Sequence, residues 1–141
     1  MKTEDEIARY LDSLPEAKRT DMRRLHAAIL AKNPGCRLWF SDGKDASGKV
    51  VSNPSIGYGA FAKPHAGGAR EMFQAGISAN ASGISVYVMG LDDRKYLPGK
   101  YGARIGKATV TGYCIKFKVL GDVDMDVLLA AIQDGIRQTS A

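Results

Sequence analysis

Two short segments of this chain alternate strictly between apolar and polar residues, and they constrain the fold more than anything else in it. Ile84-Ser85-Val86-Tyr87-Val88 is one; Tyr113-Cys114-Ile115-Lys116-Phe117-Lys118-Val119 is the other. Successive side chains of a strand point to opposite sides, so a period of two means one wet face and one dry face. The first segment sends Ile84, Val86 and Val88 one way and Ser85 and Tyr87 the other. The second sends Tyr113, Ile115, Phe117 and Val119 to the apolar side, and Cys114, Lys116 and Lys118 away from it. Such strands belong to an antiparallel sheet with one covered face, so the rest of the chain must supply a cover.

The cover is written at both ends. Ile7, Tyr10, Leu11 and Leu14 recur at helical spacing and predict a helix over residues 3–13, ended by Pro15. A second helix follows to about Lys32, with Met22, Leu25 and Ile29 on one face and Asn33-Pro34-Gly35 as its stop. At the other end Asp124 is a good N-cap for a helix lined by Met125, Leu128, Leu129, Ile132 and Ile136. Between them Arg37–Phe40 reads as a strand, Ser41–Pro54 as a turn-rich stretch, and Ile56–Ala62 as a glycine-containing strand. An Ala66-Gly67-Gly68 turn precedes a strand over Met72–Ile77, and Leu91–Gly106 reads as short helical pieces broken at Pro98-Gly99 and Gly102. Helices flanking a run of strands predict an α+β fold, an antiparallel sheet with the N-terminal helix pair and the C-terminal helix on one face. The 141 residues show no repeat and no linker, so a single domain over 1–141 is expected.

Composition removes several classes of function. No run of 18 apolar residues exists, so no membrane partner is expected. MKTEDEIARY lacks the apolar core of a signal peptide, and Cys36 and Cys114 are too few and too far apart for a disulfide framework, which reads as cytoplasmic. Residues 37–120 hold twelve basic and five acidic side chains, a net of +7 in a chain of net +5. That field favours anionic partners. The basic residues are scattered singly, and no aromatic–basic platform or recognition helix is read, so nucleic acid is not an expected partner.

Familiar chemical motifs fail when tested. Asp122, Asp124 and Asp126 open like a calcium loop, but its sixth position is Val127 and its twelfth Gln133. Gly106-Lys107 is followed by Ala108 and lacks the upstream glycine of a phosphate loop, and Gly57-Tyr58-Gly59 is a lone pair of glycines in a strand. His26, on a helix edge, and His65, in a loop, have no partners at metal-ligand spacing, and no nucleophile sits with a base. What stands out is the polar side of the alternating strands. Ser85, Tyr87, Lys116 and Lys118, joined by Tyr58 from the glycine-containing strand, either form a solvated sheet face or gather hydroxyls and ammonium groups into an anion site.

Leu14-Pro15, Arg19 and Asp21–Leu25; Trp39, Ile56–Gly59, Gly76-Ile77-Ser78 and Ile84–Tyr87; and Ile105-Gly106-Lys107, Gly112–Lys116 and Leu120–Asp124 follow one another over most of the length. In that order they resemble the YdhG-like family of small bacterial domains, also called domain of unknown function 1801. The resemblance implies a frataxin-like layout with the terminal helices on a curved antiparallel sheet. One branch of the family looks like a frataxin-like iron chaperone, holding iron on surface carboxylates. Carried onto this chain, that makes Glu4, Asp5, Asp12 and Glu16 the metal-binding candidates, although basic residues interleave with them and Gly76–Ala81 lacks a basic pair common in the family. Two expectations of function follow. The first is a non-enzymatic module binding a small anionic ligand through Tyr58, Tyr87, Lys107 and Lys116, the two lysines falling where the family motif falls. The second is the iron chaperone; outside it no cofactor is indicated. An exposed sheet edge adds the expectation of a weak homodimer.

Overall fold

The structure, a computed structural model, describes residues 2–65 and 67–140. It is α+β, with helices at both ends of a run of antiparallel strands. Helix α1 (Thr3–Asp12) buries Ile7, Tyr10 and Leu11 and carries Glu4, Asp5 and Glu6 in its first turn, where the positive end of the helix dipole favours them. The Ser13 hydroxyl donates to the carbonyl of Tyr10 at 2.6 Å and closes the helix. Helix α2 (Glu16–Lys32) begins directly after Pro15 and buries Met22, Leu25 and Ile29. At its end Asn33 donates to the Ile29 carbonyl at 2.9 Å, and its carboxamide exchanges hydrogen bonds with that of Gln133 at 2.6 and 3.1 Å. Gln133 belongs to α4 (Met125–Thr139), capped by Asp124, whose carboxylate accepts from the backbone N–H groups of Asp126 and Val127.

The strands are β1 (Leu38–Ser41), β2 (Ser55–Tyr58), β3 (Phe61–His65), β4 (Gly68–Met72), β5 (Ala75–Asn80), β6 (Gly83–Val88), β7 (Thr109–Val110) and β8 (Cys114–Phe117). Six form one sheet in the order β1-β2-β5-β6-β8-β7, and β3 and β4 pair as a separate ribbon. The expected strand over Ile56–Ala62 is therefore two, broken at Gly59, whose φ of 75° belongs to the left-handed region. The expected strand over Met72–Ile77 is also divided: Met72 ends β4 and Ala75 begins β5. The break lets Phe73 fold over the sheet. The glycine turn lies between β3 and β4, with Ala66 outside the described residues; His65 ends β3 rather than lying in a loop. Pro98 and Gly99 do not break the short helix α3 (Tyr96–Tyr101) but lie within it, because a proline in the first turn gives up an N–H that has no helical partner anyway.

Cross-strand registers sort the two faces. Ile84 is opposite Phe117 and Val86 opposite Ile115; Ile77 is opposite Val86 and Ile56 opposite Ile77. These residues are buried under the helices with Met22, Leu25, Ile29, Leu128 and Ile132. The other face carries the row Trp39, Gly57, Gly76, Tyr87 and Cys114, each opposite the next. The ring of Phe73 spans the two glycines. A Cβ at Gly57 would lie 2.8 Å from the Phe73 Cβ, and one at Gly76 would lie 2.9 Å from its Cε2. Two positions without side chains thus seat an aromatic ring on the face opposite the helices.

The expected alternation fails at the ends of the second segment. Ile115 and Phe117 are buried, but Tyr113 and Val119 are 57% and 44% exposed. Both lie outside β8, in the bends that flank it, where the strand's alternation does not apply. Among the described residues, no helix is long and apolar enough to cross a membrane.

Candidate functional site

Antiparallel pairing of β6 with β8 puts Ser85 opposite Lys116 and Tyr87 opposite Cys114, all on the face away from the helices. Thr109 of β7 stands on the far side of Lys116. Lys107 arrives from outside the sheet. Its N–H donates to the carbonyl of Asp122 at 2.9 Å while Asp124 N–H donates to the carbonyl of Ile105 at 2.8 Å, so the approach to β7 is tied to the segment entering α4. The turn between β5 and β6 completes the rim. There Asn80 Oδ1 accepts from the N–H and hydroxyl of Ser82 at 3.0 and 2.9 Å, and Asn80 Nδ2 donates to Ser85 Oγ at 3.1 Å. The Lys18 ammonium reaches the Asn80 carbonyl from α2.

Two adjoining hollows result. The first, about 340 Å³, is lined by Lys107, Lys116 and Lys118 with Asn80, Ser82 and Thr109, and by one carboxylate, Asp122. Among the described residues, no carboxylate is ion-paired to any of the three lysines. The second hollow, about 530 Å³, shares Asn80, Ser82 and Lys116 and adds Asn53, Ser85, Tyr87, Tyr113 and Cys114. Burial pushes the Cys114 thiol up, and nearby Lys116 and Ser85 only oppose this. Burial likewise pushes the Tyr87 phenol up, with Cys114 and Tyr113 adding to the shift. Neither group is prepared as a nucleophile or base at neutral pH. The chemistry on offer is cationic charge, hydroxyls and aromatic surface, which is the chemistry of binding.

Of the residues expected to form an anion site, Lys107 and Lys116 share the first hollow, and Tyr87 and Lys116 share the second. Tyr58 is corrected: it is fully buried on the helix face, opposite Leu38 and Ala75. Its hydroxyl shares a 2.6 Å hydrogen bond with His26 Nδ1, and burial pushes the phenol well up and the imidazole down. The pair is a satisfied polar contact inside the core. The four carboxylates of the iron-chaperone expectation lie on the two N-terminal helices. Asp12 is held by Arg23, Glu4 and Asp5 lie in the first turn of α1, and Glu16 starts α2. Among the described residues, no group of three or more His, Cys, Asp or Glu side chains is gathered to hold a metal ion.

Tyr113, Ser82 and Thr109 escaped the sequence reading, Tyr113 because its alternation placed it in the core. Asp134 was missed as well. It is 2% exposed in α4 and accepts from the hydroxyl of Tyr101 at 2.6 Å, from the Tyr96 hydroxyl, from Lys100 Nζ at 3.1 Å and from Gln138 Nε2 at 3.0 Å, and it pairs with Arg137. Burial by itself would raise this carboxyl; the hydroxyls of Tyr101 and Tyr96, with Gln138 and Lys100, reverse that and hold it well below the usual carboxylate range. The signal was a lone carboxylate among Leu128, Ala131, Ile132 and Gly135, on the buried side of a helix. Every oxygen is engaged, so this cluster is a clamp between α3 and α4.

Comparison with known proteins finds no matching family model, no matching curated protein and no matching solved structure.

Proposed function

We propose that this chain is a non-enzymatic binding module, a YdhG-like domain of the cytoplasm, that holds a small anionic ligand in the hollow between Lys107 and Lys116. One observation carries the reading: Lys107, Lys116 and Lys118 line a single hollow with no paired carboxylate among the described residues. Three cations against the single carboxylate of Asp122 leave the hollow with a surplus of positive charge, which an anion seated among them offsets. Ser82 and Thr109 supply hydroxyls that donate to oxyanions, and Thr109 is placed beside Lys116 by strand register rather than by a mobile loop. The hollow is small enough to favour a compact anion over a polymer.

Thermal-shift and calorimetric titration with inorganic phosphate, pyrophosphate and sulfate tests this. A ligand at a hundredfold excess over its Kd stabilises by about 2.7 kcal/mol. Lys107→Ala and Lys116→Ala should each abolish most of the shift. Shifts that persist in both variants, or that never appear with any of the three anions, overturn the reading.

A further inference from the structure

The lysine-lined hollow does not end at Lys116. The adjoining hollow shares Asn80, Ser82 and Lys116 with it, so the two meet along these residues as chemically different halves of one candidate site. The first half is cationic. The second is flanked by two tyrosines. Tyr87 is half-buried and fixed by its place in β6, whereas Tyr113 is 57% exposed just before β8. An exposed ring beside a fixed one leaves aromatic surface for a third ring to cover. Asn53 also lines this half, and its carboxamide has no hydrogen-bond partner among the described residues. It is free to read a donor or acceptor on a ligand.

We infer that the ligand of this site is a planar aromatic ring carrying a phosphate group, as in a nucleoside monophosphate, its phosphate among Lys107, Lys116 and Lys118 and its ring against Tyr87 and Tyr113. The inference rests on the anion-binding reading above and adds the second half of the ligand to it. Lys116 is the hinge of the argument: it stands opposite Ser85 in the ladder and lines both hollows, so a ligand bridging them passes over its side chain. A bare anion leaves the tyrosine half unused, and a neutral ring leaves the surplus positive charge of the lysine half unbalanced.

The test is calorimetric titration of the whole chain with inorganic phosphate, phenyl phosphate, AMP and adenosine. Stacking of one ring on an aromatic side chain contributes about tenfold or more in affinity. Phenyl phosphate or AMP should therefore bind at least about tenfold tighter than phosphate, and adenosine should bind far more weakly than AMP. Tyr113→Ala should bring AMP down to the affinity of phosphate and leave phosphate binding unchanged. Tyr113 is exposed, so this variant should melt with the parent chain, and Tyr113→Phe should restore AMP binding. Lys116→Ala should weaken phosphate and AMP together. If phosphate binds but neither aromatic phosphate binds tighter, this inference fails while the anion-binding reading stands. If neither phosphate nor the aromatic phosphates bind, both fail. Adenosine binding as tightly as AMP also overturns the bridged site.

Discussion

At Asp134 a single charge is taken out of water and given every partner it can use; at Lys107, Lys116 and Lys118 three charges stay at the surface with no paired carboxylate among the described residues. Both clusters bring together residues distant in sequence, and both include hydroxyls. They differ in whether the protein itself completes them. A buried carboxylate is tolerated only when its hydrogen bonds are made, so the ring of Tyr96, Tyr101, Lys100, Arg137 and Gln138 marks a group serving the fold. Cations that line a hollow without forming an ion pair contribute little to the fold. The difference separates a structural charge from a receptive one.

The sharpest way to break that comparison is to remove Asp134. Asp134→Ala leaves the buried Tyr101 hydroxyl and the neighbouring cations without their acceptor, and should cost about 3 kcal/mol in urea denaturation. A loss below about 1 kcal/mol would place Asp134 among the dispensable charges. Next comes Gly57→Ala. Its Cβ would meet the Phe73 Cβ at 2.8 Å, an atom anchored close to the backbone, so about 1–3 kcal/mol of destabilisation is expected. An unchanged midpoint would mean that Phe73 is not seated on the glycine pair. Tyr58→Phe should cost about 1 kcal/mol by removing the partner of His26 and should leave anion titrations as they are. Altered anion binding in that variant would return Tyr58 to the site. Smallest in stability are Lys107→Ala and Lys116→Ala, which should leave the denaturation midpoint where it is while removing the response to phosphate. A large loss of stability in either would make the lysines structural and erase the contrast with Asp134.

Acid titration sharpens the same contrast. His26 is held below its ordinary value by burial, so the unfolded chain takes up a proton that the folded one refuses. The stability this represents is present above the ordinary histidine value of about 6.5 and is lost as pH falls through it. Asp134 is also held low in the folded state, so its contribution is present above the ordinary aspartate value of about 3.9 and is lost as pH falls below it. Urea denaturation against pH should show both losses, and Asp134→Asn should remove the second and spare the first. A variant with the full acid limb of the parent chain contradicts the assignment.

Much of the layering was legible in the residues. Ile84, Val86, Ile115 and Phe117 lie under the helices as their alternation requires, and Met22, Leu25 and Ile29 meet them at helical spacing. Tyr58 was legible too, had the same rule been applied: it stands two residues from Ile56 and so shares its face. Tyr113 was not, because it stands in the bend before β8, and alternation holds only within the extended strand. The split of the glycine-containing strand followed from a single backbone angle at Gly59, and its result, Phe73 across Gly57 and Gly76, depends on contacts between segments that no local pattern encodes.

By itself, then, the sequence determined where the terminal helices and the cores of the two alternating strands form and which side of each is greasy, because side-chain period and helix capping act over a few neighbouring residues. Only the tertiary structure decided which polar groups meet. Lys107 is held by the backbone bonds that tie Ile105 to Asp124 and Lys107 itself to Asp122, and Asp134 finds Tyr96 and Tyr101 more than thirty residues away. Charges and hydroxyls acquire a role from the groups around them in space, and strand register and helix docking, set by burial of the apolar faces, bring those groups together.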